Sequence, residues 1–162
     1  MAELKEQAQP YEGEASNFFR VVDILGGTKV LGRKLKNPLD AHELLLRGLP
    51  SATLTHAIGR LASLHDPASL EKAIGVSWRT VQRRKADPAR RFNKEQSSRI
   101  WKFAEILAKA TAVFGSREAA EEWLERPAIG LEQRRPIDLL STAAGIEIVE
   151  THLGRLEYCV YT

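Results

Sequence analysis

Residues 69–85 read SLEKAIGVSWRTVQRRK, and this stretch decides the fold because it predicts two helices joined by a tight turn. Gly75 falls where the first helix must end in a left-handed backbone conformation, which glycine adopts without strain. Ser77 is placed to cap the second helix, and Ala73 is small enough to let the two helices approach closely. This layout is typical of a helix-turn-helix that reads DNA.

The second helix of this motif places its charged side chains opposite the core. If Val81 points inward, a rotation of about 100° per residue turns Arg79 and Arg83 away from the core. Arginine is the commonest reader of guanine in the major groove, and glutamine suits adenine. The predicted DNA-contacting residues are Ser77, Arg79, Thr80, Gln82, Arg83, Arg84, Lys85, Arg90 and Arg91. A helical hairpin with a solvated basic face is the alternative that the motif alone leaves open.

Charge along the chain supports contact with an anion in the middle of the sequence. Lysine and arginine number 8 against 7 acidic residues in residues 1–65, 11 against 5 in residues 66–115, and 5 against 9 in residues 116–162. The three segments therefore carry net charges of +1, +6 and −4. A basic middle beside an acidic end predicts two surfaces with different partners, an anion and a protein.

Composition describes an ordinary water-soluble chain. The 162 residues are 43% hydrophobic and 28% charged, enough for one sizeable core or two small ones. The single cysteine, Cys159, excludes an internal disulfide framework, and we interpret it as a buried or half-buried structural thiol. No apolar run has the length of a membrane span and no signal-peptide pattern opens the chain, so we expect a cytoplasmic protein.

Apolar residues recur at helical spacing and no alternating strand pattern competes with them, which predicts an all-α fold of seven to nine helices. Thr28 and Asp40 are predicted to cap two short helices. Asn93 and Gln96 have the spacing of a capping box. The apolar stripe after them predicts a long helix that ends at Gly115 and joins the DNA-binding part to the rest of the chain.

The last predicted helix has one apolar face and one face with interface-type residues. Its apolar positions, at spacings of 3 and 4, are Ile146, Val149, Leu153, Leu156 and Val160. Gly154, Arg155 and Tyr158 lie on the opposite side, with Tyr161 at the flank, and exposed tyrosine and arginine are typical of binding hot spots. Glycine inside a helix costs about 1 kcal/mol against alanine. Either a partner backbone approaches at Gly154 or the helix breaks there.

Patterns that carry catalysis or bind metals are missing from the sequence. The four histidines are scattered and have neither a partner at helical spacing nor a cysteine pair, so zinc is not expected. The chain has no phosphate-binding loop, dinucleotide fingerprint or nucleophile elbow. We therefore expect a protein that is not an enzyme, with no metal and no cofactor.

Five segments, taken in order, resemble the Xre/MbcA/ParS antitoxins, whose genes accompany RES-domain toxins. The segments are RTVQRRK at 79–85, AVFG at 112–115, EEWLERPAIGL at 121–131, PIDLLSTAAG at 136–145 and LGRLEYCVY at 153–161. The resemblance covers roughly residues 20 to 162. Cys159 stands where such sequences more often have glycine.

The resemblance implies a protein of two working parts. The helix-turn-helix would bind the promoter of its own operon, and the carboxy-terminal part would hold a RES-domain toxin inactive. RES toxins resemble ADP-ribosyl transferases and use NAD, so the antitoxin would act by covering an NAD site. The residues that we assign to toxin binding are Gly154, Arg155, Glu157, Tyr158 and Tyr161.

Helix-turn-helix proteins bind an operator more tightly when two copies occupy its two half-sites. We therefore expect a homodimer within a toxin–antitoxin hetero-oligomer. We divide the chain into a disordered tail at 1–14, an Xre-like helix-turn-helix and dimerisation domain at 15–115 and a toxin-binding domain at 116–162. Two alternatives stay open. One is a stand-alone transcription factor whose acidic end senses a ligand, and the other is a protein-only adaptor with a degenerate helix-turn-helix.

Overall fold

The computed structural model describes residues 12–62, 64 and 66–160, and every regular element in them is a helix. The all-α prediction is confirmed. These residues form ten α-helices, one more than the predicted maximum, and two of the helices have only five and four residues. Residues 12–14 belong to the first helix and not to a tail, whereas residues 1–11 lie outside the described part.

In chain order the α-helices are α1 Glu12–Ile24, α2 Gly27–Leu31, α3 Pro38–Arg47, α4 Ser51–Gly59, α5 Pro67–Ile74, α6 Trp78–Arg84, α7 Lys94–Phe114, α8 Arg117–Glu125, α9 Pro136–Leu139 and α10 Ala143–Val160. A single 3-10 turn, Ile129–Leu131, lies between α8 and α9.

Helix α7 is the central element, and its ends form as the sequence predicts. Asn93 and Gln96 make the reciprocal hydrogen bonds of a capping box, and Gly115 ends the helix with φ 86°. The buried side of α7 contacts α1, α3 and α5 on the amino-terminal side of the chain and α8 and α10 on the other. The helix-turn-helix and the carboxy-terminal helices therefore share one hydrophobic core.

Two of the predicted helix caps are wrong. Helix α2 begins after Gly26, whose φ of 103° turns the chain, so Thr28 lies inside the helix. Helix α3 begins at Pro38, which suits a first helical position because it has no N–H to satisfy. The cap is therefore Asn37, whose Oδ1 accepts a hydrogen bond from the backbone N–H of Asp40 at 3.0 Å.

A buried carboxylate joins α8 to the loop that leads into the helix-turn-helix. Glu121 is fully buried, and its two oxygens accept from the backbone N–H of Ala62 at 3.0 and 3.2 Å. Glu125, one turn later, accepts from the N–H of Asp66 at 3.3 Å. Asp66 in turn caps α5 by accepting from the N–H of Ala68. The position of α5 thus depends on side chains from α8.

Replacing Glu121 with alanine is expected to lower the free energy of unfolding by roughly 1.5–3 kcal/mol, the usual worth of hydrogen bonds to a charged group. Urea denaturation followed by circular dichroism measures the effect. Glu122→Ala is the matched control, because Glu122 is on the same helix but exposed, and it makes a surface ion pair with Arg126 at 3.2 Å. Equal stability of the two variants would contradict the structural role of Glu121.

Candidate nucleic-acid and protein-binding sites

The turn between α5 and α6 has the geometry that the sequence predicts. Gly75 adopts the left-handed conformation, with φ 74° and ψ 21°. The hydroxyl of Ser77 accepts from the backbone N–H of Thr80 at 3.2 Å and so caps α6. Ala73 and Val81 are buried between the helices. The two helices therefore form a helix-turn-helix with α6 as the second, outer helix.

Arg99 on α7 fixes the end of α5, and the sequence gives no signal for this role. Its Nη2 donates to the carbonyl oxygens of Lys72 and Ala73 at 2.6 and 3.2 Å. These carbonyls belong to the last turn of α5, where a cation is favourable. The guanidinium also lies against Gly75, so that a Cβ at that position would collide with it. A side chain at position 75 would therefore have to push the guanidinium aside, in addition to adopting a left-handed backbone with φ 74°.

The outer side of α6 is exposed and basic. Arg79, Gln82 and Arg83 are exposed, and Thr80 is half-buried. Ser77 is exposed, but its hydroxyl is used by the cap and hydrogen-bonds the hydroxyl of Thr80 at 2.9 Å. The structure therefore brings the predicted base-reading residues together on one accessible face, with Val81 directed into the core as expected.

Residues 85–92 follow α6 and run beside the start of α4, and we call them the basic arm. The backbone N–H groups of Ser51 and Ala52 donate to the carbonyls of Arg90 and Pro88 at 2.8 and 3.1 Å. The N–H of Phe92 donates to the carbonyl of Leu49 at 2.9 Å. The arm thus satisfies the first N–H groups of α4. The side chains of Lys85 and Arg90 are exposed on it.

Two predicted DNA-contacting arginines make contacts within the protein. The guanidinium of Arg84 lies 4.7 Å from the centroid of the Phe92 ring, and Arg91 donates from Nη1 to the carbonyl of Gly48 at 2.6 Å. Burial, followed by the like charges of Arg90 and Arg83, lowers the pKa of Arg84. A DNA contact by either Arg84 or Arg91 stays a prediction.

Helix α10 is continuous through Gly154, so the predicted alternative of a helix break at that residue is wrong. The hydroxyl of Thr142 accepts a hydrogen bond from the backbone N–H of Gly145 at 3.0 Å, at the start of this helix. A Cβ at position 154 would meet only the Nζ of Lys109, at 3.8 Å. Packing inside the described part of the chain therefore does not require glycine at this position.

The apolar stripe of α10 faces the core, with Val149 and Leu153 fully buried, while the opposite side is exposed. We call this exposed side the outer face, and it consists of Ala144, Ile148, Thr151 and Arg155. Together with Gly130 and His152, the outer face borders a shallow cleft of about 420 Å³. The side chain of Val160 and all of Tyr161 lie outside the described residues.

The predicted toxin-binding residues divide between two clefts. Arg155 borders the shallow cleft, whereas Gly154, Glu157 and Tyr158 line a groove of about 960 Å³ that also involves α1, α3 and α7. Tyr158 is 79% exposed. Cys159 is exposed as well, and the prediction of a buried or half-buried thiol is wrong because the last turn of α10 extends past the core.

Two exposed isoleucines, Ile129 and Ile148, were not identified from the sequence as part of a binding surface. Ile148 on α10 is 51% exposed, and Ile129 in the 3-10 turn is 86% exposed. The 3-10 turn is held against α10 because Gly130 lies on the ring of His152. That ring stacks on the ring of Trp123, with centroids 6.1 Å apart and an interplanar angle of 10°. Ile148 borders the same cleft as Arg155, and Ile129 adds a second exposed apolar side chain next to Gly130 in the chain.

Two kinds of feature are absent from the described residues, a metal-binding cluster and a membrane-spanning helix. Residues 12–62, 64 and 66–160 contain no cluster of three or more His, Cys, Asp or Glu side chains arranged to hold a metal ion. In the same part of the chain, no helix combines the length and the apolar character that crossing a membrane requires.

Comparison with known proteins assigns both halves of the chain. Residues 40–105 match the antitoxin Xre-like helix-turn-helix domain, and residues 109–158 match the antitoxin Xre/MbcA/ParS C-terminal toxin-binding domain. A protein named Antitoxin Xre from Yersinia enterocolitica is 30% identical over 141 residues, 83% of this chain and 93% of the relative. A second protein of that name, from Photorhabdus laumondii, is 31% identical over 116 residues, 71% of this chain and 76% of the relative. The resemblance found in the sequence is thereby confirmed, and the chain belongs to the Xre/MbcA/ParS family of antitoxins.

Proposed function

We propose that this chain neutralises a RES-domain toxin by binding over its NAD site and represses its own operon by binding operator DNA. The observation that carries the proposal is the presence, on one shared core, of two exposed surfaces of different chemistry. One is the basic face of α6 and the other is the outer face of α10. In this proposal the chain acts by binding, through these two surfaces.

The DNA-binding surface separates into base-reading and phosphate-binding parts. Arg79, Gln82 and Arg83 on α6 have the chemistry and the exposure to read base edges in the major groove. Lys85 and Arg90 on the basic arm are exposed cations without base-reading geometry, and they suit phosphates. The chain binds as a homodimer, which places two copies of α6 on two half-sites.

The toxin-binding surface combines apolar anchors with charges that complement an NAD site. Ile129 and Ile148 supply exposed apolar area, and Arg155 supplies a cation of the type common in hot spots. Glu147 is exposed on the same cleft. A site that binds the pyrophosphate of NAD is electropositive, so the net charge of −4 over residues 116–162 favours this partner.

Internal packing does not require glycine at position 154, so we keep the interpretation that a partner backbone approaches there. We likewise keep residues 15–115 for DNA binding and dimerisation and residues 116–162 for toxin binding. The matched regions 40–105 and 109–158 support this division, with α7 belonging to both. Both partners place the protein in the cytoplasm.

Replacing Arg90 with alanine is expected to weaken binding to operator and unrelated DNA alike. One phosphate contact fewer should also reduce the slope of log K against log salt concentration by about 1. Titrations of both DNAs at several salt concentrations measure these effects. A changed sequence preference with an unchanged slope would instead make Arg90 a base-reading residue.

The proposal is tested by expressing the chain with the RES-domain product of the neighbouring gene and purifying one partner through a tag on the other. We expect both proteins to elute together and the complex to shift promoter DNA in a gel. DNA binding without retention of the RES-domain protein would favour a stand-alone transcriptional regulator. Retention without DNA binding at low salt would favour a protein-only adaptor.

A further inference from the structure

We propose that Arg84 is a positioning residue that locks α6 to the basic arm, and that it is not a DNA contact. By fixing the arm, Arg84 sets the distance between the base-reading side chains of α6 and the phosphate-binding Arg90. This inference rests on the DNA binding proposed above, and it revises the assignment of Arg84 as a residue that contacts DNA.

The guanidinium of Arg84 touches three separate groups. It lies over the ring of Phe92 at 4.7 Å, and its Nη1 donates to the hydroxyl of Ser51 at 3.2 Å and to the carbonyl of Arg91 at 3.1 Å. Ser51 is the first residue of α4, whereas Arg91 and Phe92 are on the basic arm. One side chain at the end of α6 therefore joins three chain segments.

The groups that Arg84 joins are already fixed to one another. The hydroxyl and the N–H of Ser51 both donate to the carbonyl of Arg90, at 2.6 and 2.8 Å. Phe92 is 3% exposed, and its N–H donates to the carbonyl of Leu49. The arm and the start of α4 thus form a rigid support, and Arg84 attaches the last turn of α6 to it.

Helix α6 needs such an attachment because it has only seven residues. A helix of this length is not stable by itself, so its orientation is set by tertiary contacts. Val81 anchors the middle of α6 in the core, and Ser77 caps its first turn. Arg84 supplies the corresponding anchor at the last turn. Because Arg83 lies in the same turn, this anchor also fixes the position from which the Arg83 side chain reaches DNA.

The orientation of Arg84 also opposes a role in DNA contact. Its Nε is shielded from solvent and, among the residues that the structure describes, has no hydrogen-bond partner, so this side of the guanidinium is turned toward the protein. A cation that leaves an aromatic ring and two hydrogen-bond acceptors to reach a phosphate gives up all three contacts. Arg83, its exposed neighbour, loses no such contacts on binding DNA.

The test compares Arg84→Ala and Arg84→Lys with Arg83→Ala, which removes the same charge from the neighbouring exposed position. Operator affinity is measured over a range of salt concentrations, well below the unfolding temperature of each variant. We expect Arg84→Ala to bind operator roughly tenfold more weakly with the wild-type salt slope. Arg83→Ala, which removes a base-reading side chain, should lose part of the preference for operator over scrambled DNA. Arg84→Lys should recover part of the affinity, because an ammonium over Phe92 keeps the cation–π contact.

Amide hydrogen exchange without DNA gives an independent result. Exchange at Ser51 and Phe92 should accelerate in Arg84→Ala and stay at the wild-type rate in Arg83→Ala, because only Arg84 holds the junction. Phe92→Leu should reproduce the loss of operator affinity with an unchanged salt slope. This variant replaces Arg84→Ala in the test if Arg84→Ala does not fold.

A slope reduced by about 1 in Arg84→Ala would overturn the proposal in favour of a phosphate contact. Unchanged operator affinity in that variant would overturn it as well. If the wild-type chain binds no operator DNA, the proposed function fails. Amide hydrogen exchange at Ser51 and Phe92 then still decides whether Arg84 holds the last turn of α6 against the basic arm and the start of α4.

Discussion

Replacing both Arg79 and Arg83 with alanine is expected to abolish sequence-specific operator binding and to leave toxin neutralisation intact. Each good base contact contributes about 1–3 kcal/mol of discrimination, so losing two should lower specificity by at least about thirtyfold. Both side chains are exposed on α6, and their removal should change the stability of the fold little. Gel-shift titration against operator and scrambled DNA measures the effect.

The matched control for this double variant is Arg126→Ala with Arg134→Ala. It removes the same number of positive charges from exposed positions outside α6 and the basic arm. We expect this control to bind the operator nearly as the wild-type chain does. Undiminished operator affinity in the Arg79/Arg83 variant would show that α6 is not the reading helix.

Ile148→Asp is expected to weaken toxin binding by about 2 kcal/mol or more, which is roughly thirtyfold or more in affinity. The substitution places a charge on the apolar part of the proposed interface, where the toxin would remove it from water. Calorimetric titration of the purified toxin measures the effect. Leu46→Asp on α3, 56% exposed in the wild-type chain, is the matched control and should bind toxin normally.

Arg155→Ala and Tyr158→Ala, made separately, report which side of α10 the toxin covers, because these residues lie in different clefts. We expect the larger loss of affinity from Arg155→Ala. A larger loss from Tyr158→Ala would place the interface over the groove between α1 and α10. If Arg155, Tyr158 and Tyr161 are replaced together by alanine and toxin binding is unchanged, the interface lies on residues 121–135.

The sequence predicted the parts of the fold that depend on local chemistry. Gly75, Ser77 and Gly115 act as caps and turns because their conformations and side-chain hydrogen bonds involve only neighbouring residues. The caps at Thr28 and Asp40 were wrong because a better local signal stood beside each residue. The left-handed Gly26 precedes α2, and Pro38 fixes the start of α3.

The candidate sites were predictable only in part. Helical periodicity predicts on which side of a helix a side chain lies, but it does not predict which distant residues contact that side chain. It placed Arg79 and Arg83 outward, but it placed Arg84 among the DNA contacts because Phe92 and Ser51 meet it only in the folded chain. The same limit applies to Glu121, whose partner Ala62 is 59 residues away.

The most direct test of the account is the NAD-consuming activity of the purified RES-domain toxin, measured with one equivalent or more of this chain. The wild-type chain and the Arg79/Arg83 double variant should both suppress NAD loss, because DNA reading and toxin binding use separate surfaces. Ile148→Asp should leave most of the toxin activity in place at the same concentration while still binding operator DNA. Full toxin activity with the wild-type chain, or full suppression by Ile148→Asp, would contradict the claim that the outer face of α10 neutralises the toxin.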